Sequence, residues 1–229
     1  MDTRVVEITK SPLNYKLLVI PGVTVMDTVT ARKIREFIYN GGTVIMTANS
    51  AVTNETGKVF SATHPGLLSD VFGIRVSGYE ETENFNEISP KNFKNKDIEV
   101  GFGSKNIKTE SARFDVIHPQ GAKVIGNITS LDKSYPIITT NKYGKGTATY
   151  LGLSAKSALI DPLIDSLTDS LSLKQGPEVP EGVMARFIDS KHILYLNLTG
   201  KPQTIDPKHA SKSILFDKDY AGSFSACAL

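Results

Sequence analysis

The stretch that most restricts this chain runs from Tyr15 to Met46. "YKLLVIPG" (15–22) is a run of Leu, Val and Ile closed by Pro-Gly. Without polar alternation, it reads as a strand buried on both faces, as in parallel sheets. "MDTVTARKIREFIYNGG" (26–42) follows. Asp27 or Thr28 can cap a helix and Gly41 can end it. Ala31, Ile34 and Ile38, with Phe37 beside them, form one apolar stripe, and Arg32, Lys33, Arg35 and Glu36 fall largely opposite. "TVIM" (43–46) is a second buried strand. A strand, a helix and a strand over about thirty residues make a βαβ unit, so the two strands are expected to run parallel.

Beyond it the pattern loosens. "HPGLLSDVFGIRVSGY" (64–79) repeats the helix-then-strand motif in miniature: Leu67, Leu68 and Val71 on a short helix, Gly73 as its stop, "IRV" as a strand. Residues 80–110 turn polar and read as an insertion, with "DIEVGF" a strand within it. From 111 to 151 the period moves toward two. "ARFDVI", "AKVIGNI", "PIITTNKY" and "GTATYLGL" read as short strands and hairpins, the last entered through a tight turn at "KYGKG". A helix is expected from Asp161-Pro162, with Leu163, Ile164, Leu167 and Leu171 on its buried face. "KQGPEVPEG" (174–182) reads as a linker. "VMARFID", "HILYLNLTG", "QTIDP" and "SILFD" then predict a small β domain, and the final "GSFSACAL" reads as a strand cut short. The division expected is residues 1–175 as one α/β domain and 176–229 as the β domain.

At 229 residues the chain can bury about 70% of its unfolded surface, so it needs no disulfide staples. Cys227 is the only cysteine, which rules out an intramolecular disulfide and a Cys-rich metal motif. His64, His118, His192 and His209 are too scattered for ligand spacing, so no metal and no cofactor is expected. A formal charge of +2 without a long basic block argues against nucleic acid as the main partner. No apolar run reaches the ~18 residues of a membrane span. "MDTRVVEITK" lacks a signal-peptide pattern, and a cytoplasmic location is the expectation.

The junction "GGTVIMTANSAV" (41–52) raises the question of chemistry, because α/β enzymes place nucleophiles just after such strands. A thiol or hydroxyl nucleophile needs an activating base. Cys227 is far away in sequence, and Ser50 has no G-x-S-x-G around it. Asn49 and Ser50 read as turn formers, and no catalytic residue is expected. Glycoside hydrolysis needs two carboxylates roughly 5 to 9.5 Å apart. Neither Asn86-Glu87 nor "EETE" (80–83) supplies a convincing pair. "GFGSKN" lacks phosphate-loop spacing, and "YGKGT" precedes a strand rather than a helix. Should a ligand bind at the strand ends, Asn49, Ser50 and His64 are the residues to examine. Tyr79, Phe85, Phe93 and Phe102, aromatics in or beside a polar segment, are candidates for an interface.

"YKLLVIPG", the helix, "GGTVIMT", "GLLSDVFGIRV" and "YGKGTATYLG", in this order and spacing, resemble the middle, trimerisation domain of glycoside hydrolase family 42 β-galactosidases. "PEGVMARFIDSKHILYLNLTG" resembles the β domain that follows it there. The resemblance covers about residues 5–205 and implies a fold like class I glutamine amidotransferases: a three-layer α/β domain with a mostly parallel, flavodoxin-like sheet, then a small antiparallel β domain. It also implies a homo-oligomer, a trimer, that walls part of a carbohydrate cleft. The parent reaction would be retaining hydrolysis of terminal β-galactosides, on glutamates of a (β/α)8 barrel for which this chain has no room. The alternative is a stand-alone enzyme or small-molecule-binding protein on the same scaffold. A carbohydrate-binding module is disfavoured by the absence of tryptophan.

Overall fold

The computed structural model describes residues 5–60, 64–81, 98–102, 105–109, 113–130, 133–154, 158–173, 177–189, 192–205, 212–213, 218–219 and 224–226. The chain divides into two compact units, Val6–Leu167 and a second made of Met1–Val5 with Thr168–Leu229.

The larger unit begins with the expected βαβ element: β1 (Leu17–Ile20), α1 (Thr28–Tyr39) and β2 (Thr43–Thr47). Asp27 is the cap, its Oδ1 accepting from the Thr30 amide at 2.7 Å. β1 and β2 are parallel in register, Leu17 opposite Thr43 and Ile20 opposite Met46. A single 3-10 turn and a short helix α2 (Ser69–Phe72) follow, stopped by left-handed Gly73. Then come β3 (Ile74–Glu81), β4 (Ile98–Phe102), β5 (Lys105–Thr109), β6 (Arg113–Pro119), β7 (Lys123–Ser130), β8 (Lys133–Tyr143), β9 (Gly146–Leu151) and the helix α3 (Ile160–Ser170).

Seven of these strands form one sheet in the order β1-β2-β9-β8-β7-β4-β5. Only β1–β2 and β2–β9 are parallel. β9–β8, β8–β7, β7–β4 and β4–β5 are all antiparallel. The expectation of a three-layer, mostly parallel flavodoxin- or amidotransferase-like sheet is therefore wrong. The sheet is mixed and curled into a half-barrel, and the chain is strand-rich with few helices. The reason lies in the connections. A parallel neighbour needs a long crossover, whereas a tight turn makes an antiparallel one. The Gly144-Lys145 turn joins β8 to β9 with Tyr143 opposite Gly146, and β7 is likewise antiparallel to the β8 that follows it. The second helix-then-strand motif does not extend the parallel sheet either, because β3 pairs antiparallel with β6 in a separate ribbon.

Two apolar clusters form the interior. One gathers Ala31, Ile34, Phe37 and Ile38 of α1, Val71 and Phe72 of α2, and Leu18, Ile20, Val44, Met46, Ala148 and Tyr150 of the sheet. The other holds Ile45, Leu151, Ile137, Ile138, Ile128, Val100, Phe114 and Leu163. Val44 and Met46 belong to the first and Ile45 to the second, as the two-residue period of a strand requires. β2 is buried along its whole length. The arginine expected on the polar side of α1 turns to a specific partner. Arg35 grips Asp70 with both terminal nitrogens, at 2.5 and 2.8 Å, and also donates to Tyr143 Oη and the Leu67 carbonyl, tying α1 to the segment around α2.

In the second unit, β10 (Val183–Phe187) and β11 (Ile193–Asn197) form an antiparallel ribbon. β12 (Gln203–Ile205), β13 (Lys212–Ser213), β14 (Lys218–Asp219) and β15 (Phe224–Ala226) pair as β12–β15 and β13–β14, both antiparallel. No helix of the described residues is long and apolar enough to cross a membrane.

Candidate functional site: the elbow after β2

The polar turn after β2 is a built elbow. Gly22 donates its amide to Thr47 Oγ1 at 2.9 Å, Ala48 donates to the Leu153 carbonyl, and Ala51 to the Val23 carbonyl. Those bonds hold two non-glycine residues in the left-handed region, Asn49 at φ 62° and Ala51 at φ 54°. Each costs on the order of 1 kcal/mol and persists only where its surroundings over-determine it. Ser50 between them is fully buried, and its Oγ has no hydrogen-bond partner among the described residues.

The elbow faces a carboxylate that the sequence reading did not single out. Asp115 on β6 is only 7% exposed. It accepts from Tyr150 Oη at 2.6 Å and from the backbone amide of Asn49. Its own amide donates to the Gly152 carbonyl, just beyond β9. Burial pushes the Asp115 carboxyl up from its ordinary value; the Tyr150 hydroxyl, the nearby His64 imidazole, the Asn49 amide and Arg113 pull the other way. Tyr150, wholly buried, is pushed up by burial and then by the Asp115 charge. The signal for this pair was present in "ARFDVI", an acid within an apolar strand. Only the antiparallel placement of β6 shows that the acid points inward.

The structure thus brings Asn49 and His64 together around Asp115. The His64 carbonyl accepts from the Val76 amide, while its Nδ1 is buried and without a partner among the described residues. Ser50 is on the same elbow, yet its hydroxyl bonds to neither His64 nor Asp115. A serine nucleophile needs a base at hydrogen-bond reach, and Ser50 Oγ has none among the described residues. No group of three His, Cys, Asp or Glu side chains among the described residues gathers as a metal site.

The aromatic candidates separate. Tyr79 on β3 is exposed, with the Arg113 guanidinium 3.2 Å from its ring centroid. Phe102 on β4 packs against the second apolar cluster. Phe85 and Phe93 lie outside the described residues.

Next to the elbow, three short segments form a ladder. Val25 bridges Thr53 in parallel fashion and Thr53 bridges Val59 in antiparallel fashion. The turn between the last two is closed by Asn54, whose Oδ1 accepts from the amides of Thr56 and Lys58 and from Thr56 Oγ1. Val23, Val25 and Val59 are exposed.

Comparison with known proteins places this geometry. Residues 1–174 match the family model described as the β-galactosidase trimerisation domain. The chain is 28% identical over 204 residues to the β-galactosidase Pbg of Clostridium perfringens, covering 85% of this chain and 28% of that protein. It is 29% identical over 217 residues to the β-galactosidase BgaA of Planococcus sp., covering 91% and 31%. Among solved structures, the β-galactosidase from Bacillus circulans sp. alkalophilus superposes with a TM-score of 0.73 at 24% identity, over 93% of this chain and 32% of that one. A catalytic mutant of Gan42B, a GH42 β-galactosidase from G. stearothermophilus, gives 0.75 at 21%, over 93% and 31%. The chain therefore spans about three tenths of the length of these relatives. The amidotransferase-like label drawn from the resemblance is not supported; the family is. This chain belongs to the β-galactosidase trimerisation domain family.

Proposed function

We propose that this chain is the non-catalytic assembly region of a β-galactosidase-like glycoside hydrolase. In this reading it associates with copies of itself as a trimer and walls part of the carbohydrate cleft of a longer, cytoplasmic enzyme that hydrolyses terminal β-galactosides. Residues 1–175 form the assembly domain and 176–229 an accessory β domain, and the exposed Tyr79 belongs to the contact surface. The observation that supports the reading is the elbow: it has an enzyme-like backbone, but Ser50 Oγ is buried with no hydrogen-bond partner among the described residues. Asp115 is also unsuited to glycoside hydrolysis. It is enclosed, whereas the reaction needs two carboxylates facing a sugar.

Light scattering over a range of protein concentrations tests the assembly, with the mass of three chains expected. A nitrophenyl β-galactoside tests the chemistry, with no nitrophenol expected. Release that is abolished by Asp115→Asn would overturn the non-catalytic reading.

One observation favours a second reading, a small polar ligand held at Asn49, Ser50 and His64: Ser50 Oγ and His64 Nδ1 are both buried and without a partner among the described residues. Galactose would then raise the melting temperature of the protein, and Ser50→Ala would remove the shift. No shift with galactose at tens of millimolar would sink it for that sugar.

A further inference from the structure

Asparagine precedes glycine once in this sequence, at Asn40-Gly41, where α1 ends. Such a pair carries its own chemistry. The following peptide nitrogen can close a five-membered ring on the side-chain carboxamide, and glycine has no Cβ to obstruct the approach. Both residues are exposed. Asn40 is the C-cap of α1, with φ -84° and ψ 3°, and its side chain hydrogen-bonds to none of the described residues. Other turn asparagines are less free: Asn54 Oδ1 accepts from Thr56 and Lys58, and Asn49 precedes the buried Ser50. What restrains Asn40-Gly41 is the backbone. The Gly41 amide donates to the Ile38 carbonyl at 3.0 Å. Ring closure needs that nitrogen free and Asn40 turned about ψ. Both conditions are met when the last turn opens, and helix ends are where fraying starts.

We propose that Asn40 is a site of spontaneous deamidation, with water as the reactant, and that its product loosens α1 from the β8–β9 turn. The Gly41 nitrogen bonds to Asn40 Cγ and loses its proton, the bond from Cγ to the side-chain nitrogen breaks, and ammonia leaves. Water then opens the cyclic imide. Attack at Cγ gives aspartate; attack at the main-chain carbonyl carbon routes the chain through the side chain and gives isoaspartate. In both cases one water enters and one ammonia leaves, and nothing is oxidised or reduced. The seam has little tolerance for either product. Aspartate puts a negative charge at the negative end of the helix dipole, where the last turn holds no basic residue. Lys145, packed beside Gly41, offsets part of that charge. Isoaspartate does more damage, because it adds a carbon to the main chain between Ile38 and Gly42. The carbonyl oxygens of those two residues bracket Gly146 so closely that a Cβ there would collide with both. The Tyr39 carbonyl also accepts from the Lys145 amide, and the Gly42 carbonyl from the Thr147 amide. A longer main chain shifts at least one of these carbonyls and opens the seam.

Peptide mapping by mass spectrometry tests this on the full chain, incubated at mildly alkaline pH both folded and in urea. The peptide holding Asn40-Gly41 is expected to gain the mass that comes with OH in place of NH2, ahead of every other asparagine. The gain should be about 10-fold or more faster in urea, where the helix end no longer restrains the Gly41 nitrogen. Isoaspartyl methyltransferase should label the same peptide. Asn40→Gln, whose longer side chain closes a ring far more slowly, should show no gain there. Aged wild type should unfold at a lower temperature than fresh protein, and aged Asn40→Gln should match its fresh counterpart. If other asparagines of the folded chain convert first, or Asn40 stays intact while the chain in urea converts fully, Asn40 is not the site. If Asn40 converts and the unfolding temperature holds, the seam tolerates the product and the loosening falls.

Discussion

The two ends of the large sheet obey different rules. At the parallel end, β1, β2 and β9 lie beneath α1, and β2 is buried at every position. At the antiparallel end, β8, β7, β4 and β5 succeed one another as neighbours without helical crossovers, and β8 is buried only at its centre, at Ile137, Ile138 and Thr139. The strained elbow, the Asp115–Tyr150 pair and the Arg35 clamp belong to the parallel end or face it. Dense packing from both sides over-determines the backbone there, and that is the condition for holding strain and a buried carboxylate. The antiparallel end can absorb a change at its surface.

The largest effect that should separate the two ends comes from one added methyl group. A Cβ at Gly146 would lie 2.1 Å from the Ile38 carbonyl oxygen and 2.3 Å from that of Gly42, both backbone atoms. Gly146→Ala is expected to cost about 4 kcal/mol in urea unfolding, or to prevent folding. A cost below 1 kcal/mol would mean that the β8–β9 turn does not sit against the end of α1.

Next comes the buried pair. Tyr150→Phe removes the hydroxyl that donates to Asp115 and leaves a buried acceptor short of a donor. A loss of about 2 kcal/mol is expected at neutral pH. An unchanged unfolding midpoint would show that the Asn49 amide suffices alone.

Smaller effects should appear in the pH profile, with opposite signs for two aspartates. Burial raises the Asp115 carboxyl, so the folded protein holds its proton more tightly than the unfolded chain does. Its contribution is complete below the unfolded value of about 3.9 and is lost as pH rises through the raised folded value. Asp115→Asn should therefore gain on the wild type between pH 4 and pH 7. The Arg35 hydrogen bonds lower Asp70. Its contribution is present above about 3.9 and is lost as pH falls through the lowered folded value. Asp70 is 62% exposed, so Asp70→Asn should cost only about 0.5 kcal/mol at pH 7, fading toward pH 3. Denaturant unfolding at several pH values checks both, and parallel profiles for the two variants would contradict the assignment.

The smallest effect belongs to the antiparallel end. A Cβ at Gly101 on β4 would meet only Asn106 Oδ1, at 3.7 Å. Gly101→Ala should change stability by no more than about 0.5 kcal/mol, against the several lost at Gly146. A loss comparable to that of Gly146→Ala would erase the contrast between the ends.

Legibility in the sequence follows the range of the interactions involved. The first βαβ unit, its Asp27 cap and the Gly144-Lys145 turn were all readable, because each rests on residues a few places apart. At the elbow, the turn at Asn49 and Ser50 was readable from its polar residues. The inward-facing Asp115 was not, because its partners Tyr150, Asn49 and His64 are 35 or more residues away in the chain.

By itself the sequence determined where the first helix begins, which of its faces is apolar and that the first two strands run parallel, because capping, periodicity and a crossover are local physics. Tertiary structure alone decided that β3 leaves the main sheet to pair with β6, that the sheet is mixed and that Asp115 lies under the elbow. Strand pairing is a choice among distant partners with similar apolar patterns. That choice is settled only when the whole core closes around both faces of the sheet.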